Sequence, residues 1–287
     1  MSTFRFDAIG TSWQIDIYQE LQEAQQKVLL SAIKERIDSF DKTYSRFRND
    51  SLVTTMSQET GKFLLPDDAQ ELFSLYEDIY KRTNGLVTPL IGNLIADAGY
   101  DARYSLVTKP ELFSPLQWND AIIYEYPNLT VKKPVMLDFG AAGKGYLIDL
   151  VAKVIEGHGV TSYCVDAGGD MIHRGHQAIN VGLENPSDID QVIRVYPLKN
   201  KSLCGSAGNR RAWGDFTHII NPETKTSPKE IIAVWTIANS TIVADILATA
   251  LFFVPVSALS DGYEFEYVLV HSDGSVEKSA SFFGELF

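Results

Sequence analysis

Three groups of residues in this 287-residue chain have the types and spacing to do chemistry. The first is Asp138-Phe-Gly-Ala-Ala-Gly-Lys-Gly145, which follows the short apolar run Val135–Phe139 and precedes Leu147, Leu150, Val151, Val154 and Ile155 at helical spacing. A strand, a small-residue turn and a helix start in that order leave backbone N–H groups pointing outward, which makes an anion site. Lys144 adds a positive charge there. The run is not a P-loop, since Asp138 stands where that pattern needs Gly and no Ser or Thr follows the Lys, and it does not match GxGxxG. Read alone, the same residues serve equally well as a tight turn that packs closely.

The second group is Asp245 and Thr249, four apart on a predicted helix over 241–253 and therefore on one face. Ile242, Ala248, Leu251 and Phe252 make the surroundings apolar, so the carboxylate needs a partner. A carboxylate and a hydroxyl are hard oxygen ligands suited to Mg²⁺ held jointly with phosphates. Taken alone, pairing with an Arg or a backbone N–H is the commoner answer. The third group is Thr217-His218-Ile-Ile-Asn-Pro222, a His in an apolar strand that breaks at Asn-Pro; a lone His of this kind is usually a satisfied core residue. His173 and His176 have a zinc-like spacing, but no Cys, Glu or third His lies close in sequence. His158 and His271 read as surface residues, and no GxSxG elbow is present.

The elements that must position these residues can be read from periodicity. Trp13, Ile15 and Ile17 alternate with polar residues and predict a strand over 11–18. Helices are predicted over about 20–40 and 67–84, the latter opened by Pro66 and two Asp and closed by Asn84-Gly85. The glycine-rich turn feeds a helix to about Glu156, then a strand over 160–165 ending at Asp166-Ala-Gly-Gly-Asp170. A strand near 233–238, the helix carrying Asp245 and a hairpin around Asp273-Gly274 complete the set. Helices alternate with strands and hairpins, which predicts a mixed α+β or α/β fold in two lobes with mixed sheets. Residues 101–120 are the best linker-like stretch, and no firm boundary divides 1–287.

Composition bounds the partners. Hydrophobic residues at 45% and charged residues at 22% fit a globular protein, and the most apolar stretch, 231–259, is interrupted by Asn239, Ser240, Asp245 and Pro255, so no bilayer span is predicted. The 37 acidic against 25 basic residues give a net charge of -12, which speaks against a broad nucleic-acid face and requires a local device for any anionic ligand. Cys164 and Cys204, the only cysteines, read as free thiols in a reducing compartment. The N-terminus shows no basic region followed by an apolar stretch and no lipid-anchor Cys, which points to the cytoplasm.

Together these segments resemble the FAD:protein FMN transferases of the ApbE family over nearly the whole length. Asp138-Phe-Gly-Ala-Ala-Gly-Lys-Gly-Tyr146 is similar to the family's DxGGxAKGY, Val165-Asp-Ala-Gly-Gly-Asp170 to NAGGD, Thr217–Pro222 to SHIIDP, and Ala244-Asp-Ile-Leu-Ala-Thr-Ala-Leu251 to ADALATAL. Ile9-Gly-Thr11 resembles MGT, and Tyr44-Ser-Arg-Phe-Arg-Asn-Asp-Ser51 resembles StYrpdS. Each motif alone is weak; all of them in family order make a specific match.

The resemblance implies a T-fold-related architecture and an enzyme that takes FAD and Mg²⁺, cleaves the pyrophosphate, moves FMN onto a Thr (or Ser) hydroxyl of a target flavoprotein and releases AMP. It implies metal ligation by the Ala141 carbonyl, Asp245 and Thr249. It implies flavin or phosphate contacts at Ile9, Phe47, Leu86, Val87, Asp138, Lys144, Gly169, Asp170 and Ile220. Phe47 takes a position that is often Tyr, and its ring can stack on a flat ligand. Three positions depart from the family: Ser206-Ala-Gly-Asn-Arg210 in place of TSGxY, Val87 where Asp is common, and Asn221 in place of the Asp of HIIDP. FAD hydrolysis to FMN and AMP without transfer, and FAD binding without catalysis, are the alternatives. A hydroxyl nucleophile needs a base. His218 is the motif histidine available for that role, with Lys144 as the phosphate-stabilising cation; the competing role for His218 is to fix the Asn221-Pro222 turn.

Overall fold

The run Ile231–Ala238 is apolar on both of its strand faces, so it must be covered on both sides. The computed structural model, which describes residues 1–209, 211–282 and 285–286, meets that demand with a central eight-stranded sheet. In chain order the strands are β1 (Ser2–Ala8), β2 (Thr11–Ile17), β3 (Gly61–Leu64), β4 (Ile122–Glu125), β5 (Asn128–Val131), β6 (Tyr163–Ala167), β7 (Asp170–Arg174), β8 (Ile179–Asn185), β9 (Asp188–Leu198), β10 (Ser202–Ala207), β11 (Ala212–Trp213), β12 (Phe216–Thr217), β13 (Ile231–Ala238), β14 (Glu266–His271), β15 (Val276–Lys278) and β16 (Glu285–Leu286). The α-helices are α1 (Glu23–Tyr44), α2 (Leu52–Met56), α3 (Ala69–Arg82), α4 (Gly92–Asp97), α5 (Trp118–Ala121), α6 (Gly143–Gly157) and α7 (Thr241–Ala250).

The large sheet runs β1-β2-β6-β7-β10-β13-β14-β15, and β3-β5-β4 and β16-β9-β8 form two smaller sheets. The chain is thus a mixed α/β protein. Its sheets are antiparallel in every described pairing, where mixed sheets were expected: hairpins join β1-β2, β6-β7 and β14-β15, and the longer connections, such as the one through α7 from β13 to β14, also return the chain antiparallel. On one face of the large sheet, Ile15, Ile17, Val165, Ile172 and Val234 join the core formed with α1, α3, α6 and α7. On the other face Leu203, Ala233, Trp235, Ile237 and Val268 pack against Leu183, Tyr196 and Leu198 of the β8–β9 hairpin. Leu29, Ile33, Ile37, Phe40 and Tyr44 give α1 one buried stripe, laid against α6. No described helix is long and apolar enough to cross a membrane.

Most predicted elements are present with shifted ends: 23–44 for 20–40, 69–82 for 67–84, 241–250 for 241–253 and 163–167 for 160–165. The Asp273-Gly274 hairpin forms between β14 and β15. Val135–Phe139 is not a strand. Val135, Leu137 and Phe139 are buried in strand-like alternation, but the backbone bonds irregularly, with Asp138 N–H donating to Pro89 O at 2.7 Å. His218 likewise lies just past the two-residue strand β12 rather than inside one.

Helices α6 and α7 approach closely at Gly145. A Cβ on Gly145 would lie 2.6 Å from Asp245 Cβ and 2.8 Å from the Thr241 carbonyl carbon, inside van der Waals contact. Gly145→Ala is expected to cost about 1–3 kcal/mol through overpacking, read as a lower midpoint in urea unfolding; an unchanged midpoint would show that the two helices separate freely.

Candidate functional site

The helix pair fixes the polar end of the site. Gly145 N–H donates to Asp245 Oδ2 at 2.7 Å. Ser240, the N-cap of α7, makes no side-chain cap bond. Instead Asp149 reaches across from α6, its Oδ1 accepting from Thr241 N–H at 2.9 Å and its Oδ2 from Ile242 N–H at 2.8 Å. A carboxylate at this position satisfies orphan donors and complements the helix dipole. Burial pushes the Asp149 carboxyl above its ordinary range, opposed by those two bonds. Asp149 was not among the residues picked from sequence, although an acid on the apolar face of Leu147, Leu150 and Val151 was a signal for it.

Lys144 pairs with the buried Asp170, whose Oδ1 also accepts from Gly205 N–H at 3.0 Å. Burial disfavours the Lys144 ammonium, but Asp170 and Asp245 outweigh it and hold the pKa above its ordinary value. Burial, then Asp170, pushes the Asp245 carboxyl far above its ordinary range, with Lys144 opposing. The cluster therefore sets two acidic groups against one ammonium, which pairs with Asp170 and leaves Asp245 without a cation of its own. Around it, the backbone N–H groups of the turn are largely engaged within the protein: Gly140 with Asp138 Oδ1 at 2.7 Å, Ala142 and Gly143 with Phe139 O at 3.1 and 2.6 Å, and Gly145 with Asp245. An anion at this end thus depends on side-chain Lys144 and on added cations more than on the helix start.

The buried Asp245 carboxyl, a Thr hydroxyl one turn beyond it on α7 and the backbone carbonyl of Ala141 in the turn before α6 are hard oxygen groups of the kind that hold a divalent cation. The Tyr76 hydroxyl adds to this polarity: it is buried without a hydrogen-bond partner, among Asp138, Asp245 and the backbone of Ala141 and Ala142. Among the described residues no three His, Cys, Asp or Glu side chains cluster as a metal site. His173 is buried and His176 exposed.

The other end is aromatic. Phe47 stacks on Tyr104 with ring centroids 5.3 Å apart and 8° between planes, and meets the edge of Tyr100 at 5.6 Å. Tyr100 stacks on Trp213, and Ile220 is buried in the same cluster. Between the two ends lies Asp138, ion-paired with the buried Arg46. Arg46 was not singled out from sequence. Ile9 and Gly10 form the two-residue turn between β1 and β2 with φ of +45° and +72°. A β-branched residue there is strained, and such strain collects at functional positions. Gly168-Gly169 makes the equivalent turn between β6 and β7, and Gly168 N–H donates to Ser12 O at 3.0 Å, which ties the two hairpin ends together. Val87 is buried in the main core and Leu86 half-buried; the segment touches the site through Pro89 O, the acceptor for Asp138 N–H.

His218 sits in the field of Arg211, Lys144 and Asp138. Burial, then Arg211, lowers its pKa to about 4, so the ring is neutral at pH 7. Its Nδ1 is buried and unpartnered. The Asn221-Pro222 turn is held by Asn221 itself, whose Oδ1 accepts from Glu223 and Thr224 N–H at 2.9 and 3.1 Å. Within 206–210, Asn209 Nδ2 donates to Pro186 O at 2.8 Å, and Arg210 lies outside the described residues.

Comparison with known proteins identifies the family and the fold. The ApbE family profile matches residues 9–265. A Klebsiella pneumoniae FAD:protein FMN transferase is 22% identical, covering 83% of this chain and 74% of its own length, and one from Vibrio cholerae is 23% identical, covering 85% and 78%. In structure the chain is similar to the flavin transferase ApbE from Vibrio cholerae (TM-score 0.82, 18% identity, 98% and 97% covered). It is similar also to the ApbE protein from Thermotoga maritima (TM-score 0.85, 21% identity, 98% and 97% covered).

The raised Asp245 pKa has a thermal consequence. The folded state binds that proton more tightly than the unfolded state, so stability falls as pH rises from the ordinary carboxylate range towards the higher folded value. Asp245→Asn keeps an acceptor for Gly145 N–H and removes the charge. In EDTA at pH 7.5 its melting temperature is expected to exceed that of the wild type, with the gap closing towards pH 4. An equal or lower melting temperature at pH 7.5 would mean that Asp245 is not an uncompensated charge.

Proposed function

The chain belongs to the ApbE family, and we propose that it moves FMN from FAD onto a Thr or Ser hydroxyl of a target flavoprotein, with AMP as leaving group. The observation that carries this reading is the pairing of two unlike ends across Asp138. The Lys144–Asp170–Asp245 cluster suits a pyrophosphate with its metal, and the Phe47–Tyr100–Trp213–Ile220 cluster suits a flat ring system. The names borne by the relatives point the same way.

In this proposal Ala141 O, Asp245 and Thr249 hold Mg²⁺, which when bound offsets phosphate charge and polarises the pyrophosphate. Lys144, kept protonated by Asp170, places its ammonium against the negative charge that grows on the phosphate as the P–O–P bridge breaks. The acceptor oxygen forms the new P–O bond, and AMP departs with the bridging electron pair. The acceptor's proton goes to His218, whose neutral state at pH 7 leaves it free to accept. Ile9, Phe47, Leu86, Val87, Asp138, Gly169 and Ile220 complete the flavin and nucleotide contacts, within a single unit over 1–287. The buried free thiols of Cys164 and Cys204 suit a reducing, cytoplasmic setting.

With FAD, Mg²⁺ and a candidate acceptor, the acceptor is expected to gain the mass of FMN as AMP appears. Asp245→Ala, or excess EDTA, should abolish both, and Lys144→Met should lower turnover or FAD affinity at least tenfold. AMP without flavinylated protein identifies a hydrolase instead, and no AMP identifies a carrier.

His218→Ala is expected to fold and bind FAD but to transfer flavin about 100-fold more slowly or worse, the usual scale for a lost general base. Joint loss of thermal stability and FAD binding would make His218 structural, and near-normal transfer would end its role as base.

A further inference from the structure

Arg46 is an unusual cation for this chain. Its side chain is 4% exposed and bonds through Nε to Asp138. Its Cζ lies 4.2 Å from the Phe47 ring centroid and 5.2 Å from that of Tyr100. Nη2 is fully buried and has no hydrogen-bond partner. A guanidinium presents its N–H groups in a rigid fork, and a buried donor left unmade is costly. Asp138 fixes one side of that fork and two aromatic rings fix its plane, so Nη2 is held ready for an acceptor that the protein does not supply.

We propose that Arg46 is a specificity residue whose Nη2 donates to a ring carbonyl oxygen of the isoalloxazine; this rests on the reading of FAD as substrate. The position in the fold selects the ring over the phosphates. Lys144 and Asp245 mark the phosphate end, whereas Arg46 belongs with Phe47 and Tyr100 at the aromatic end. A phosphate placed on Nη2 would also meet the Asp138 carboxylate and be repelled by it. A neutral carbonyl meets no such repulsion. The pyrimidinedione edge of a flavin alternates C=O and N–H groups, and the Arg46–Asp138 pair offers a donor beside an acceptor. Arg46 would thereby select for a flavin ring without touching the bonds that react.

The test measures affinity for ligands with and without the ring. Wild type, Arg46→Met and Arg46→Lys are titrated with FAD, FMN and ADP in the presence of Mg²⁺, by flavin fluorescence and by calorimetry. Both variants are expected to bind FAD and FMN at least tenfold more weakly and ADP unchanged. Lys keeps a charge beside Asp138 but cannot form the fork, so it is expected not to rescue, and it decides the matter if the Met variant does not fold. Unchanged affinity for all three ligands overturns the proposal, as does equal loss for all three or loss confined to ADP. Wild-type protein that binds ADP but neither flavin overturns the flavin-transfer reading along with it.

Discussion

The site depends on how closely α6 and α7 approach. Only a residue without a side chain fits at Gly145, and the contact it permits places its N–H on Asp245 Oδ2. One residue earlier, Lys144 is thereby aimed at Asp170 and the same carboxylate. One turn later, Asp149 spans the gap and caps α7. A shift of one helix would misplace the ammonium, the carboxylate and the cap together. The large sheet supports this arrangement from below, since α7 packs on β10 and β13 and α6 on β6 and β7.

On the flavin-transfer reading, an acidic protein must take up a polyanionic nucleotide, and the fold concentrates that conflict of charge rather than spreading it. The net charge of -12 is met locally by single cations, each tied to one acid: the half-buried Lys144 to the buried Asp170, and the buried Arg46 to Asp138. Such pairing is costly in desolvation, and Asp245 has no cation of its own. The site is therefore strained electrostatically in the direction that a bound cation relieves, much as Ile9 is strained in its backbone.

How much of this was legible in the sequence varied with range. Asp245 and Thr249 on one face, and the glycine-rich turn into α6, follow from local spacing and appear as read. The hairpin at Asp273-Gly274 carries its own turn signal. Val135–Phe139 misled because burial alternates along it without a partner strand to bond. The β8–β9 hairpin was not anticipated: much of β9 is exposed and polar, and only a few residues, such as Leu183 and Tyr196, mark its inner face. Arg46 could not be found, because its meaning lies in Asp138, 92 residues away. The low pKa of His218 is also tertiary, since it arises from burial and from Arg211.

The aromatic end has an optical consequence. Trp213 is buried, donates its indole N–H to Ala98 O at 2.8 Å, and stacks on Tyr100 at 5.7 Å, while Tyr100 meets Phe47. An indole held that rigidly, within a few ring widths of Phe47, would pass its excitation to any isoalloxazine arriving there. On the flavin-transfer reading, filling of the site would dim Trp213, so the unlabelled protein would carry its own gauge of occupancy.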